Sequence, residues 1–278
     1  MQLYSIDTGY FKLDGGAMFG VVPKSIWNKI NPADENNLCS WAMRCLLVEE
    51  GKRLVLIDCG MGNKQSEKFF SHYEPHGSKN LEASLHEFGF VADDITDVFL
   101  THLHFDHCGG AIRFDELHKP VPAFRNATYY SCEKHWLTAT KPNQREKASF
   151  LKENIIPIQE SGQLKMLKEG DELFPGFKTI FVDGHTDAMM LPIIQYGNQT
   201  IAYMADLIPS AGHIPIPYVM AYDIRPLISL QEKETFLNMA YANNYSLFFE
   251  HDPKIELCNL VKTDRGIRMG EAITLQDL

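Results

Sequence analysis

Residues 101–110 read Thr101-His102-Leu103-His104-Phe105-Asp106-His107-Cys108-Gly109-Gly110 and follow the apolar run Asp97-Val98-Phe99-Leu100. That run has the length and composition of a short buried strand, so the polar cluster falls where a strand gives way to a loop. Three imidazoles and one carboxylate stand within residues 102–107. In extended backbone His102 and His104 share a side, because side chains alternate with a period of two. Asp106 and His107 then follow in a turn that Gly109-Gly110 can close. Imidazole and carboxylate together suit zinc and other first-row metals. No CxxC pair stands nearby, and the cluster reads as half of a two-metal site.

Upstream, 41–50 and 53–57 form an expected hairpin across Glu50-Gly51-Lys52. Its second strand, Leu54-Val55-Leu56-Ile57, ends in Asp58-Cys59-Gly60. A carboxylate there can hold a metal-ligating imidazole by its second nitrogen. Residues 79–90 have helical spacing, 126–130 read as a strand, and 132–154 as helix broken near Pro142. Downstream, 177–182 read as a strand ending in Asp183-Gly184-His185-Thr186. Residues 189–196 and 199–204 make a hairpin ending at Asp206, 230–243 a helix, and 246–249 a strand ending in Glu250-His251-Asp252. Ligand-type residues thus meet strand ends five times, at Asp58, 102–107, His185, Asp206 and His251. Neighbouring strand ends in a layered sheet converge on one edge, which makes a single site of scattered residues.

The 278 residues contain no repeat, low-complexity tract or polar linker, and are expected to form a single domain over 1–278. Residues 1–40 are an arm rich in large apolar side chains, a candidate homodimer contact. A net charge of −10 without any basic run argues against a nucleic-acid partner. No apolar stretch is long enough to span a membrane, and the first residues have no leader pattern. Six cysteines without framework spacing are expected to be free thiols in a reducing cytoplasm. Cys108, beside the ligand cluster, is expected to be a small packing residue rather than a nucleophile.

The pattern His102-X-His104-X-Asp106-His107, then Gly184-His185, Asp206 and His251, preceded by Leu56-Ile57-Asp58-Cys59-Gly60, resembles the metallo-β-lactamase superfamily over about 41–253. The resemblance implies an α/β fold, an αββα four-layer sandwich of two mixed sheets flanked by helices. It implies that His102, His104 and His185 hold one divalent ion, that Asp106, His107 and His251 hold a second, and that Asp206 bridges them. The ions are expected to be Zn2+. Two such cations can lower the pKa of a bridging water, so that hydroxide attacks a carbonyl or phosphoryl centre, and Asp106 can take up the proton.

The stretch 207–223 is apolar, aromatic and proline-stiffened, and resembles the corresponding region of the N-acyl-homoserine lactonases and related organophosphate hydrolases. It implies a small-molecule substrate with an acyl or apolar group and opening of a lactone ring, the step that quenches quorum signals. The better-known lactonases carry Tyr three residues after the bridging Asp, where Pro209 stands here. The phenol's role then falls to Tyr218 or Tyr222, or to His213 in its place. The alternatives are another ester, thioester or phosphotriester at the same site, and a non-catalytic metal-binding protein.

Overall fold

The computed structural model describes residues 1–278. In chain order come β1 (Gln2–Asp14), the short helices α1 (Gly15–Phe19) and α2 (Lys24–Trp27), β2 (Leu38–Glu50) and β3 (Arg53–Ile57). Next are α3 (Glu67–Phe70), α4 (Leu81–Glu87), β4 (Asp97–Phe99), α5 (Phe105–Cys108), β5 (Ile112–Phe114) and β6 (Pro120–Pro122). Then follow β7 (Thr128–Cys132), α6 (Glu133–Thr140), α7 (Lys152–Glu160), β8 (Leu164–Leu167), β9 (Phe177–Val182), β10 (Met189–Tyr196) and β11 (Gln199–Tyr203). The chain closes with α8 (Pro226–Ala242), β12 (Tyr245–Phe248), β13 (Leu257–Thr263) and β14 (Gly266–Ile273). No helix is long and apolar enough to cross a membrane.

Two six-stranded sheets carry the fold, in the orders β1-β2-β3-β4-β7-β8 and β14-β13-β12-β11-β10-β9, and β5 pairs with β6. Both large sheets are mixed: β3, β4, β7 and β8 run parallel after the antiparallel β2–β3 hairpin, and β11–β12 is the parallel pair of the second. With their flanking helices they form the α/β class that the sequence implied. Parallel strands are buried on both faces, which is why β3 and β4 read as continuous apolar runs rather than alternating ones.

The chain divides into two compact units, one of 1–9 and 43–169, the other of 10–42 and 170–278. In the first, Leu56, Val98, Leu100, Leu103, Cys108 and Tyr129 belong to one buried cluster. Leu103 and Cys108 alternate with the polar residues of the 101–110 stretch, so the apolar members anchor the loop on the core while the polar ones face away. Gly109 and Gly110 permit the close return of the chain. A Cβ at Gly109 would lie 1.9 Å from the Met61 carbonyl oxygen, and one at Gly110 2.1 Å from that of Cys59.

Several boundaries differ from the expectation. The leading segment holds a 13-residue strand, β1, where short apolar pieces and turns were expected. The break expected near Pro142 falls after α6, but the second helix, α7, starts only at Lys152 and runs to Glu160, beyond the expected end at 154. Helix α8 begins at Pro226, a favoured first-turn position for proline. Its buried residues are Ser229, Lys233, Phe236, Leu237 and Ala240.

Candidate metal centre

In the first unit, β3 and β4 deliver their C-terminal ends side by side, with Ile57 opposite Phe99. Asp58 follows β3 with φ 58°, a left-handed conformation that costs a non-glycine residue about 1–2 kcal/mol. That turn aims its carboxylate across at the 101–107 loop. The Thr101 amide donates to Asp58 Oδ1 at 2.8 Å and the Thr101 hydroxyl to Oδ2 at 2.6 Å. His107 donates from Nδ1 to Asp58 Oδ2 at 3.1 Å, which leaves the His107 Nε2 lone pair for another partner. Since the Thr101 proton is spent on Asp58, its oxygen accepts from His102 Nδ1 at 3.1 Å. His102 Nε2 then lies 3.1 Å from His104 Nδ1. His104 sits just before α5, its Nε2 3.9 Å from Glu146 Oε1 and its ring against Phe150. Asp106 Oδ2 lies 3.7 Å from His107 Nε2. All four side chains are buried.

In the second unit three strand ends supply the donors. His185 follows β9, Asp206 follows β11 and His251 follows β12. His185 donates from Nδ1 to Asp223 Oδ1 at 2.9 Å, and its Nε2 lies 3.1 Å from Asp206 Oδ2. His251 donates from Nδ1 to the Ala42 carbonyl at 2.7 Å, with Nε2 3.2 Å from Asp206 Oδ1. Burial alone would lower the pKa of His185, but Asp206 and then Asp223 outweigh it and raise the imidazole to about 10. A cation in the proton's place would satisfy the same carboxylates.

Each unit thus carries its own group of buried His and Asp side chains of the kind that hold a metal ion, His102, His104, Asp106 and His107 in the first and His185, Asp206 and His251 in the second. Asp58 is itself a carboxylate beside the first group, but it is committed to His107 Nδ1 and to Thr101. It is a support for the imidazole. Chemically the donor set fits first-row divalent ions. His107, His185 and His251 each carry their Nδ1 proton on a carboxylate or carbonyl, the device that fixes the tautomer and orientation of a ligating imidazole.

The residues named for substrate contact fare differently. His213 is buried with both nitrogens spent: Nδ1 accepts from the Ser210 hydroxyl at 2.8 Å and Nε2 donates to the Met18 carbonyl at 2.9 Å. Its ring stacks on Phe19 at 4.5 Å, and burial pushes its pKa down to about 3. A neutral ring so engaged has no nitrogen left for a substrate, which corrects the expectation of a catalytic His213. Tyr218 stands with Asp206, Met220, Asp223, Ser229 and Lys233 around a crevice too tight for a water molecule. Tyr222 is 40% exposed. Cys108 is fully buried, donates to the Leu103 carbonyl at 3.3 Å and is pushed up to about 12 by burial, as a packing thiol should be.

Sequence reading missed Asp223, Glu232 and Lys233. Glu232 accepts the amides of Asp183 at 2.7 Å and Gly184 at 3.0 Å. Gly184 packs so closely on α8 that a Cβ there would lie 2.3 Å from the Ser229 amide nitrogen. Only the early charges of a helix face marked these residues, and such charges ordinarily face solvent.

Buried imidazoles and carboxylates at the ends of strands in mixed sheets are the mark of a metallo-hydrolase. The chain belongs to the metallo-β-lactamase superfamily, whose sequence profile matches residues 44–251, and it is a hydrolase of that superfamily. The N-acyl homoserine lactonase AiiA of Bacillus thuringiensis subsp. kurstaki is 23% identical over 264 residues, 90% of this chain and 93% of its own. A probable metal-dependent hydrolase from Staphylococcus aureus has a TM-score of 0.87 at 28% identity, with 98% of each chain covered. AidC, a dizinc quorum-quenching lactonase solved with a product, N-hexanoyl-L-homoserine, has a TM-score of 0.79 at 24% identity, covering 98% of this chain and 95% of that one.

Proposed function

We propose that this chain is a two-metal lactonase acting on N-acyl-homoserine lactones. The observation that carries the reading is the two groups of buried His and Asp side chains, His102, His104, Asp106 and His107 in one unit and His185, Asp206 and His251 in the other. His102, His104 and His185 would hold one ion and Asp106, His107 and His251 a second, and Asp206, with an oxygen toward each of His185 and His251, would serve both. When bound, a pair of Zn2+ ions supplies Lewis acidity toward the lactone carbonyl and makes water acidic enough to react near neutral pH.

The protein's own groups do the remainder. Asp58, Asp223 and the Ala42 carbonyl hold the imidazoles in the tautomer that ligates. Water adds to the ring carbonyl carbon, the ring C–O bond breaks, and the leaving alkoxide takes up a proton relayed through Asp106. Tyr218, on the crevice that Asp206 also lines, donates a hydrogen bond to the substrate carbonyl, with Tyr222 at the outer rim. The apolar residues of 207–222 receive the acyl group.

Both units act together as one hydrolase domain in a homodimer, with the 1–40 arm as the contact. Val21, Ile26 and Ile30 of that arm are 90%, 45% and 41% exposed, and light scattering will give the mass. All six cysteines are free, which suits a cytoplasmic enzyme.

The test is metal analysis combined with a substrate panel. Two zinc equivalents per chain are expected, with kcat/KM for acyl-homoserine lactones about 100-fold or more above aryl esters, thioesters and phosphotriesters. Preference for a thioester or phosphotriester would transfer the assignment to that chemistry. Less than one equivalent with no turnover would make the chain a metal-binding protein only.

A further inference from the structure

Helix α8 presents two consecutive charged residues of opposite sign to two different loops. Glu232 grips the amides of Asp183 and Gly184, just before His185. Lys233 is 2% exposed, and its Nζ donates to the carbonyls of His213 at 3.0 Å, Pro215 at 3.1 Å and Tyr218 at 2.8 Å. All three ammonium protons are therefore spent on one loop, and no carboxylate lies within ion-pair distance. A carboxylate takes amide donors and an ammonium takes carbonyl acceptors, so the pair is matched to the backbone that each one holds.

We propose that Lys233 is a positioning residue for the 213–218 loop, fixing Tyr218 and the acyl side of the site, while Glu232 separately fixes the loop of His185. The acyl assignment rests on the lactonase reading; the loop assignment does not. Three features support it. The loop follows Asp206 directly and lines the same crevice as that residue, with Lys233 in the wall. Proline at 215 and 217 removes two amide donors from the loop, and although the Tyr218 amide reaches the Pro215 carbonyl at 2.9 Å, the Lys233 ammonium adds an external donor that ties that carbonyl to those of His213 and Tyr218. Finally, a buried cation held only by neutral carbonyls gives less stability than a packed apolar side chain in the same volume. Burial pushes the ammonium down to about 7 against the pull of Asp223. An apolar residue would serve stability alone, so the ammonium is placed for what it orients.

The experiment compares the parent with K233M, K233R and E232Q, and with F177A as a destabilised control. Phe177 is fully buried at the start of β9, about 16–17 Å of strand from the Val182 end that precedes His185. Amide hydrogen exchange is the first readout and needs neither metal nor substrate. In K233M, exchange across 214–222 should accelerate about tenfold with 183–188 unchanged, and E232Q should do the reverse. In the kinetic arm, K233M should keep its metal content and raise KM for N-hexanoyl-homoserine lactone about tenfold with kcat within about threefold. K233R should recover part of both effects, since guanidinium donors can reach the same carbonyls. Unchanged exchange over 214–222 in K233M would overturn the proposal. So would equal acceleration of both loops, or a KM increase in F177A matching that of K233M. A parent that hydrolyses no lactone would fail the function proposed above and leave the exchange comparison to decide this one.

Discussion

The two groups of donor residues are built in opposite ways. His102, His104, Asp106 and His107 come from one loop and one turn of helix, so local chain geometry aims them, and the remote Asp58 locks the result through three hydrogen bonds. His185, Asp206 and His251 come from three separate strand ends. Their aim depends on strand register, on Asp223 in a distant loop and on the grip of α8. A contiguous donor set spends its specificity on backbone conformation, whereas a dispersed one spends it on long-range packing. The two should fail differently when perturbed.

The largest effect is expected at Asp206, whose two oxygens face His185 and His251. D206A removes the group that both imidazoles face and leaves His185 without one of the carboxylates that charge it. Bound metal should fall below one equivalent by elemental analysis, and turnover should fall by more than the ~10–100-fold typical of losing an outer partner. H104A should lose one ion and retain the other, because its neighbours remain aimed by the loop. Equal metal loss in the two variants would erase the distinction between the halves.

Removing the outer partners sharpens the comparison. In D58N the amide can accept with one oxygen only, while its NH2 group meets a donor, so at least one of the three bonds to Thr101 and His107 is lost. In D223N the oxygen can still accept from His185 Nδ1. D58N should therefore weaken metal binding toward the ~100-fold end of the usual range and D223N toward the ~10-fold end, measured by competition with a chelator. The reverse order would mean that the contiguous loop keeps its aim without its lock.

What was legible in the sequence follows the same division. The 101–110 stretch announced its chemistry because ligand types were packed at short spacing after an apolar run. His185, Asp206 and His251 gained meaning only jointly, from recurring at strand ends in a familiar order. Asp223, Glu232 and Lys233 had no signal: a Lys between two Glu on a helix reads as solvated charge, and only the folded loops reveal what it caps. Strand β1 was obscured because just three of its thirteen residues are buried, which blurs the period-two alternation. His213 looked available because a histidine near a bridging Asp is chemically suggestive. Its engagement with Met18, 195 residues away in sequence, is invisible before folding.

Glycine substitutions test the close approaches on which each region depends. G109A would place a methyl 1.9 Å from the Met61 oxygen, and G184A would place one 2.3 Å from the Ser229 nitrogen. Both contacts are with backbone, which cannot rotate away. Each variant should lose about 1–3 kcal/mol in chemical denaturation of the metal-free protein. G109A should also depress metal binding by disturbing the adjoining turn, whereas G184A should act on His185 through the α8 contact. A G184A protein of parental stability would show that α8 can retreat, and would weaken the claim that packing aims the dispersed half.

The smallest effect concerns a feature that both regions share. Each is entered through a non-glycine residue of positive φ, Asp58 at 58° and Ala205 at 40°. Glu74, at 41° in the segment that follows α3, has the same kind of backbone at an exposed position. E74G removes the steric cost of that conformation at a solvent position and should stabilise the protein by about 0.5–1 kcal/mol. A205G removes the same cost but also a fully buried methyl, worth about 0.8 kcal/mol. Its net change in stability should therefore be near zero, and the freed backbone should let Asp206 wander, lowering metal affinity by a few-fold. Melting curves of the two metal-free variants separate these outcomes. If A205G rises in Tm as much as E74G and binds metal as tightly as the parent, the strained turn before Asp206 is incidental, and β11 register alone sets that carboxylate.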